Sequence, residues 1–244
     1  MTNLFGEFFG TMILLTFGCG VVANVLLKDS KGNGGGWMVI ATGWAFAVML
    51  GVFGAIATGA PQADLSPAVT LFKMYAGVYS VPHAIATMAA EMAGGIAGGV
   101  ICWLLYLPHW EVTEDKGLKL AVFATGPAIR KPMANLLCEI IATAFLLIAF
   151  YTIGSKAVQG TTGFGTGMGV YITAVVIWAV GLSLGGPTGY ALNPARDLGP
   201  RIAHAILPIA GKGGSDWSYA WVPVVGPMLG ASLAFVICRS IGLV

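Results

Sequence analysis

The sequence predicts an all-α membrane protein with six transmembrane helices, two re-entrant half-helices and inverted three-helix repeats. Three observations predict this fold. Of the 244 residues, 57% are hydrophobic and only 9% are charged, whereas soluble domains carry about a quarter charged residues. Six apolar runs reach the roughly 20 residues that a helical crossing needs. Two shorter apolar runs begin with a Pro-Ala pair at corresponding places in the two halves of the chain.

The apolar runs place the six crossings at about 5–27, 37–58, 82–106, 134–153, 165–184 and 219–241. The half-helices, at about 66–76 and 193–205, are too short to cross a bilayer. Each begins at a Ser or Asn, which are favoured N-cap residues, followed by Pro at the first helical position, where its missing N–H has no intrahelical partner. The two tripeptides are Ser66-Pro67-Ala68 and Asn193-Pro194-Ala195. We expect both Ser66 and Asn193 to cap their half-helices.

The chain contains an internal repeat within a single domain over 1–244. The first repeat is 1–106 with half-helix 66–76, and the second is 133–244 with half-helix 193–205. Three crossings per repeat is an odd number, so the second repeat enters the membrane from the opposite side. The two half-helices then enter from opposite faces and their N-termini meet near the midplane, which is a recurrent way to build a solute site.

Four acidic residues lie in or beside the apolar runs. Glu7 and Glu139 open crossings 1 and 4, and intramembrane acids are functional candidates by default. We expect both to accept hydrogen bonds from the backbone of the re-entrant loops, which lipid cannot satisfy. Glu91 either does the same, or is protonated, or titrates. Asp64 is expected to be a solvated loop acid, the alternative being an acid near a pore mouth that tunes cation or proton behaviour.

Several other residues are expected to pack rather than to bind. Small residues spaced four apart favour close helix crossings, and the four cysteines show no metal-ligand spacing. His204 is expected to be packed or mouth-lining rather than a pH sensor. These residues are Gly94, Gly95, Gly98, Gly99, Cys19, Cys102, Cys138, Cys238 and His204. No metal or cofactor is expected, and the net charge of +2 gives no indication of a nucleic-acid partner.

The stretch Gly189-Tyr190-Ala191-Leu192-Asn193-Pro194-Ala195-Arg196-Asp197-Leu198-Gly199-Pro200-Arg201 resembles the second signature of the aquaporin superfamily. Asp197 directly after Arg196 is similar to the glycerol-facilitator branch of that family. Ser66-Pro67-Ala68-Val69-Thr70 matches the first signature except at its first residue, where the family has Asn. The resemblance extends over essentially the whole chain.

The resemblance implies a passive homotetrameric channel with one pore in each subunit and both termini in the cytoplasm. It also implies a selectivity filter formed by Trp44, Gly181, Tyr190 and Arg196. Gly181 has no side chain where water-selective members usually have His, so the ring is expected to be wide. Trp44 and Tyr190 would face the carbons of a polyol, and Arg196 would donate to its hydroxyls. The alternatives are interface aromatics for Trp44 and Tyr190 and an ordinary loop ion pair with Asp197 for Arg196.

Ser66 is the main departure from the family pattern, and it predicts a wider, less strictly ordered pore midpoint. Arg196 and the two half-helix N-termini, each carrying roughly half a positive charge, are expected to repel cations and protons.

The sequence features discriminate among four classes of function. The expected function is passive diffusion of glycerol and other small uncharged solutes, with some water, across a plasma membrane, and more specifically a bacterial inner membrane. The alternative is a channel of the same fold for undissociated lactic acid, water or hydrogen peroxide. A secondary active transporter would need a coupling-ion site, and no acidic cluster near the tripeptides supplies one. An enzyme or a structural protein is the last class, and no nucleophile–base pair or metal-ligand pattern supports an enzyme.

Overall fold

The computed structural model describes residues 3–160 and 163–244, and in this part of the chain all regular secondary structure is α-helical. In chain order the helices are α1 (Asn3–Leu26), α2 (Gly36–Ala57), α3 (Pro67–Tyr75), α4 (Val81–Leu105), α5 (Leu107–Val112), α6 (Lys116–Phe123), α7 (Pro132–Ile153), α8 (Lys156–Gln159), α9 (Thr166–Leu184), α10 (Pro194–Ile206) and α11 (Val222–Ser240). Among the described residues six are long and apolar enough to cross a membrane: α1, α2, α4, α7, α9 and α11. Their bounds lie within three residues of those predicted.

The two half-helices are α3, of nine residues, and α10, of 13 residues. Each starts with Pro at its first position, as predicted. α3 ends at Tyr75, one residue before the predicted end, and α10 continues one residue further, to Ile206.

The connector between crossings 3 and 4 contains structure that the sequence did not predict. It folds into the short helices α5 and α6. Asp115 caps α6, and its side chain accepts from the backbone N–H groups of Gly117 and Leu118 at 2.7 and 3.1 Å. Asp immediately before a helix is a standard N-cap signal, so the start of α6 was detectable in the sequence.

Glycines bring the long helices into close contact in both halves. A Cβ added at Gly94 would lie 2.3 Å from the Phe8 carbonyl oxygen of α1. The corresponding contact in the second half joins α11 to α7, where a Cβ at Gly230 would lie 2.6 Å from the Ile140 oxygen. Gly95 faces α10 in the same way, with the Ala195 oxygen 2.5 Å from an added Cβ. The packing role predicted for Gly94 and Gly95 is therefore confirmed.

The outer surface of the bundle is apolar. Large hydrophobic side chains are exposed on the long helices, among them Ile85 at 62% and Met133 at 71%. Three of the four cysteines are buried and all four are free. Apolar side chains on the outside of long apolar helices are typical of a surface that contacts lipid.

Candidate solute pathway

A cavity of about 510 Å³ lies between the two halves of the molecule. Its lining combines an apolar wall with a row of polar groups. The wall includes Leu14, Val48, Val52, Val69, Leu146 and Ile177, and the polar groups include Asp64, Ser66, Lys73, Asn193 and Arg196. Both half-helix starts therefore reach the same space, as the inverted repeat predicts.

Glu7 and Glu139 hold the two re-entrant loops in the same way. The backbone N–H groups of Asp64 and Leu65 donate to the two carboxyl oxygens of Glu7 at 3.0 and 2.9 Å. Those of Ala191 and Leu192 donate to the two oxygens of Glu139, both at 3.0 Å. The hydrogen bonds expected of these acids are thus present, at the two residues that precede each tripeptide.

The two loops also share an unusual backbone. Ala63 and Leu65 have φ values of 43° and 54°, and Tyr190 and Leu192 have values of 40° and 56°. A non-glycine residue in the left-handed region costs about 1 kcal/mol or more and persists where the surroundings fix it. Here the hydrogen bonds to Glu7 and Glu139 supply that restraint, because they hold the second and first residues before each tripeptide, next to and at the positions with positive φ.

The tips of the loops break this symmetry. The Asn193 side-chain oxygen accepts from the N–H groups of Ala195 and Arg196 at 2.9 and 3.3 Å, and its amide nitrogen donates to the Leu65 oxygen at 2.6 Å. Asn193 therefore caps α10 and joins the two halves. Ser66 makes no side-chain cap hydrogen bond, so the prediction that it caps α3 is wrong. The Ser66 hydroxyl has no partner among the described residues and lines the cavity, whereas the longer Asn193 amide carries its acceptor and its donor on separate atoms.

Trp44 and Arg196 meet at one end of the cavity. The Arg196 guanidinium carbon lies 3.9 Å from the centroid of the Trp44 ring, a cation–π contact. Gly18 makes room for this ring, because a Cβ there would lie 2.1 Å from it. The alternative ion pair between Arg196 and Asp197 is absent, since Asp197 pairs with Arg201 instead.

Tyr190 lies at the same end and rests on Gly181. A Cβ added at Gly181 would be 2.9 Å from Cζ of the Tyr190 ring. Trp37, which sequence reasoning missed, completes the cluster: its indole N–H donates to the Gly181 oxygen at 2.9 Å, and its ring meets Tyr190 edge to face at 5.6 Å. The space left by Gly181 is thus taken by Tyr190, and does not simply widen the ring as predicted. Trp37 opens crossing 2, where a tryptophan is typical of the membrane interface, so no specific sequence signal marked its role.

Four polar atoms on the cavity wall have no hydrogen-bond partner within the described residues. They are Trp44 Nε1, Ser66 Oγ, Tyr190 Oη and Arg196 Nη1, and all four residues line the cavity. A buried polar group without a partner costs about 1–3 kcal/mol. Polar groups of a solute in the cavity would meet this need, because all four atoms can donate and the two hydroxyl oxygens can also accept.

Asp197 anchors α10 to the connector that precedes α7. Its carboxyl accepts from the Arg201 Nε at 2.8 Å and from the Thr125 N–H and hydroxyl at 2.7 and 2.6 Å. Arg201 in turn donates to the Ser215 and Asp216 oxygens at 2.8 and 3.1 Å. Asp197 directly follows Arg196, so this buried hydrogen-bond network fixes the segment that carries the guanidinium.

Two residues of the loop after α10, Lys212 and Asp216, are also held by hydrogen bonds. Burial alone would raise the pKa of Asp216, but hydrogen bonds from Arg130 and Ser218 bring that pKa below its ordinary value. Lys212 donates to the His204, Ala205 and Leu207 oxygens at 2.6–2.7 Å, which satisfies carbonyls at the end of α10.

His204 is fully buried. Its Nδ1 lies 2.9 Å from the Ser215 hydroxyl and its ring meets Phe123 edge to face at 5.4 Å. This is the packed position that the sequence predicted.

Asp64 is not the solvated loop acid that the sequence predicted. Its side chain is fully buried and forms an ion pair with Lys73, and its second oxygen accepts from the Thr70 hydroxyl at 2.8 Å. Lys73 also donates to the Gln62 oxygen at 2.8 Å. The partners Thr70 and Lys73 lie six and nine residues further along, on α3. The loop-to-helix turn that brings them to Asp64 is fixed by Glu7, which local sequence does not reveal.

The chain is similar in sequence and in fold to known proteins. Residues 1–238 match the family model described as Major intrinsic protein. A probable glycerol uptake facilitator protein of Thermotoga maritima is 47% identical over 233 residues, covering 96% of each chain. A D/L-lactic acid transporter of Lactiplantibacillus plantarum is 36% identical over 238 residues, covering 95% of this chain and 94% of the other. The X-ray structure of the aquaglyceroporin from Plasmodium falciparum superposes with a TM-score of 0.83 at 25% identity, covering 99% of this chain and 98% of that one.

Proposed function

The chain belongs to the major intrinsic protein family, and from this premise we propose that it is a passive channel for glycerol and other small uncharged solutes, with some water. The relatives named as glycerol facilitators align over nearly their full length. The protein is accordingly a multi-pass membrane channel and not an enzyme.

The observation that carries the proposal is the cavity wall. Its lining contains both apolar side chains and unpartnered donors on Trp44, Tyr190 and Arg196. A linear polyol has the matching two faces, because its carbons prefer an apolar surface and its hydroxyls need partners. In this proposal Trp44, Gly181, Tyr190 and Arg196 form the selectivity filter. Ser66-Pro67-Ala68 and Asn193-Pro194-Ala195 form the midpoint.

Charge exclusion in this proposal depends on fixed positive groups. Arg196 makes no ion pair among the described residues and lines the cavity. The N-terminus of each half-helix adds roughly half a positive charge, whereas Lys73 is matched by Asp64. A cation would therefore meet repulsion, and a neutral solute would not.

The assembly and the location extend the proposal. We infer a homotetramer with one pore in each subunit, both termini in the cytoplasm, in a bacterial inner membrane. The exposed apolar surface of the long helices supports contact with lipid and with neighbouring subunits. The bacterial sources of the similar sequences support the location.

Undissociated lactic acid is the second candidate solute. The relative named as a lactic acid transporter supports it, as does the Asp64–Lys73 pair on the cavity wall. A neutral carboxylic acid carries one O–H donor beside one carbonyl acceptor, which complements an acid paired with an ammonium group.

Stopped-flow light scattering on proteoliposomes tests the proposal with glycerol, water and lactic acid as solutes. Glycerol should enter faster than into empty vesicles and should never exceed its external concentration. Trp44→Phe keeps a ring beside Arg196 and removes the Nε1–H donor, so it should slow glycerol severalfold. Trp217→Phe is the matched control, because Trp217 is 52% exposed outside the cavity, and should leave the rate unchanged. Accumulation of glycerol against a gradient would exclude a passive channel, and an unchanged rate in Trp44→Phe would exclude this assignment of the filter.

A further inference from the structure

Glu91 is a buried acid that the proposed solute pathway does not use. It lies on α4, is fully buried, and does not line the cavity. Its Oε1 lies 2.8 Å from the Thr70 hydroxyl oxygen of α3. The same hydroxyl oxygen lies 2.8 Å from Asp64 Oδ2. One hydroxyl thus sits at hydrogen-bond distance between two carboxyl groups.

The two contacts of the Thr70 hydroxyl need more hydrogens than Thr70 can supply. A threonine hydroxyl has one hydrogen and can donate to one acceptor only. An ionised carboxylate is an acceptor only. If both carboxyl groups were ionised, one of the two contacts would hold two oxygens together at 2.8 Å with no hydrogen between them. One carboxyl must therefore supply the second hydrogen, and accept none from Thr70.

The surroundings decide which acid carries it. Asp64 Oδ1 is paired with the Lys73 ammonium group, which favours the ionised form of Asp64. Glu91 faces no cation, and its Oε2 is a buried oxygen with no partner among the described residues. An isolated buried charge costs several kcal/mol, so the neutral form is favoured at Glu91.

We propose that Glu91 is a proton-binding site within the membrane, and that its neutral carboxyl group donates to Thr70. Thr70 then donates to Asp64, which also accepts from Lys73. Every contact in the chain from Glu91 to Lys73 has one hydrogen, and the ionised members, Asp64 and Lys73, compensate each other.

The other charged and titratable groups around Glu91 are consistent with this assignment. Glu7 of α1 uses both oxygens to accept from the loop backbone. Asp64 and Tyr79 lie in the loops on either side of α3, and Lys73 on α3 is engaged by Asp64. α10 packs against α4 through Gly95 and Gly99, which carry no charge. An uncompensated negative charge would therefore lie beside the Asp64–Lys73 pair if Glu91 lost its proton.

The bound proton has a consequence for selectivity, which rests on the proposed function. Thr70 lies on the first turn of α3, four residues after Ser66, and its N–H donates to the Ser66 oxygen at 3.0 Å. An ionised Glu91 beside this turn would offset the positive N-terminus of α3 and attract cations to the midpoint. A neutral Glu91 leaves that positive potential in place.

Infrared spectroscopy of the purified channel in lipid tests the site directly and does not depend on permeation. A protonated carboxylic acid has a C=O stretch that a carboxylate lacks. We expect this band at neutral pH in the wild type and its loss in Glu91→Gln, while Glu111→Gln, at an exposed position, keeps it. Absence of the band in the wild type, or its undiminished presence in folded Glu91→Gln, would overturn the assignment.

Two further measurements keep the test decisive if Glu91→Gln folds poorly. Carbon-13 labelling of glutamate carboxyls in the wild type should shift the band, and labelling of aspartate carboxyls should not. The reverse result would move the proton to Asp64 and overturn the proposal.

Where the variant folds, the apparent melting temperature of the wild type should fall relative to that of Glu91→Gln as pH rises, because only the wild type can lose the proton. Parallel pH profiles would contradict the proposal. Failure of glycerol transport alone would bear on the channel and leave the infrared result standing.

Discussion

Single glycines determine where the aromatic rings at one end of the cavity can lie. Gly18 admits the Trp44 ring beneath Arg196, and Gly181 admits the Tyr190 ring. In both cases the nearest atoms to an added Cβ belong to an aromatic side chain. A larger residue would therefore have to displace the whole ring, because no flexible side-chain end is there to move aside. The geometry of the proposed filter thus depends on residues that themselves present no side chain.

Filling the space at Gly181 should displace Tyr190. We expect Gly181→His to slow glycerol by about tenfold or more and water by much less, because a wide solute needs the full opening. Gly181→Ala should have the same preference at a smaller magnitude, since its Cβ would lie 2.9 Å from the ring. Stopped-flow light scattering measures both rates.

Gly186→Ala provides the control, because an added Cβ there meets nothing within 4 Å. Equal loss of glycerol and water permeation in Gly181→His would argue against the placement of Gly181 and Tyr190 in the filter.

Sequence reasoning at this scale succeeded where a residue has one physical option. Acids that open apolar helices had to find backbone donors, and Glu7 and Glu139 do. It failed where a side chain does not make the contact typical of its type, or where its partners lie further along the chain. Ser66 is a good N-cap residue by type but does not cap, and Asp64 is buried by contacts with Thr70 and Lys73 that no local pattern announces.

The two half-helices are alike in their supports and different at their ends. Each loop is held by one glutamate, but α10 has a side-chain cap and α3 does not. Asn193 alone reaches the opposite loop, at Leu65. The meeting of the half-helices therefore depends more on the second tripeptide than on the first.

Removing the two side chains in turn should reveal this difference. Asn193→Ala loses the cap, worth about 1 kcal/mol, and a buried hydrogen bond to Leu65 worth about another 1 kcal/mol. Ser66→Ala removes a hydroxyl that has no partner among the described residues and should change stability little. We expect a clearly lower apparent melting temperature for Asn193→Ala in detergent and a nearly unchanged one for Ser66→Ala. Equal losses would mean that Ser66 has a packing role.

Across the whole molecule, the long helices of both halves pack through glycines at corresponding contacts. Glycines on α4 let α1 approach, and glycines on α11 let α7 approach. Because the added Cβ atoms would meet backbone oxygens, these contacts cannot relax by side-chain movement. Small residues that allow close backbone approach are a main source of helix association in membranes.

Gly98→Ala should therefore lower the yield of folded protein. An added Cβ would lie 2.7 Å from the Met12 oxygen and 2.6 Å from Leu15 Cβ. Gly20→Ala, on α1, meets nothing within 4 Å and should leave the yield unchanged or higher, since Ala favours helix more than Gly. Size-exclusion chromatography of both variants measures this, and equal yields would count against tight packing at Gly98.

The sequence predicted the arrangement of the whole molecule better than its connections. Length and hydropathy locate long crossings because a bilayer imposes one thickness, and the odd number of crossings in each repeat gives their inversion. The connector that contains α5 and α6 lies outside the bilayer, where neither constraint applies. Its ties to Arg201 and Asp197 join segments more than 70 residues apart, and a single sequence does not show such pairings.

The single amide that joins the two loops makes the pathway unequal along the membrane normal. Of the two tripeptide side chains that line the cavity, Asn193 presents an amide that already donates to Leu65, and Ser66 presents a hydroxyl with no partner among the described residues. Detailed balance still requires equal flux in both directions at equal concentrations if transport is passive. The solute concentration at which flux saturates need not be equal for influx and efflux. The asymmetry would therefore change these saturation concentrations and would not drive transport against a gradient.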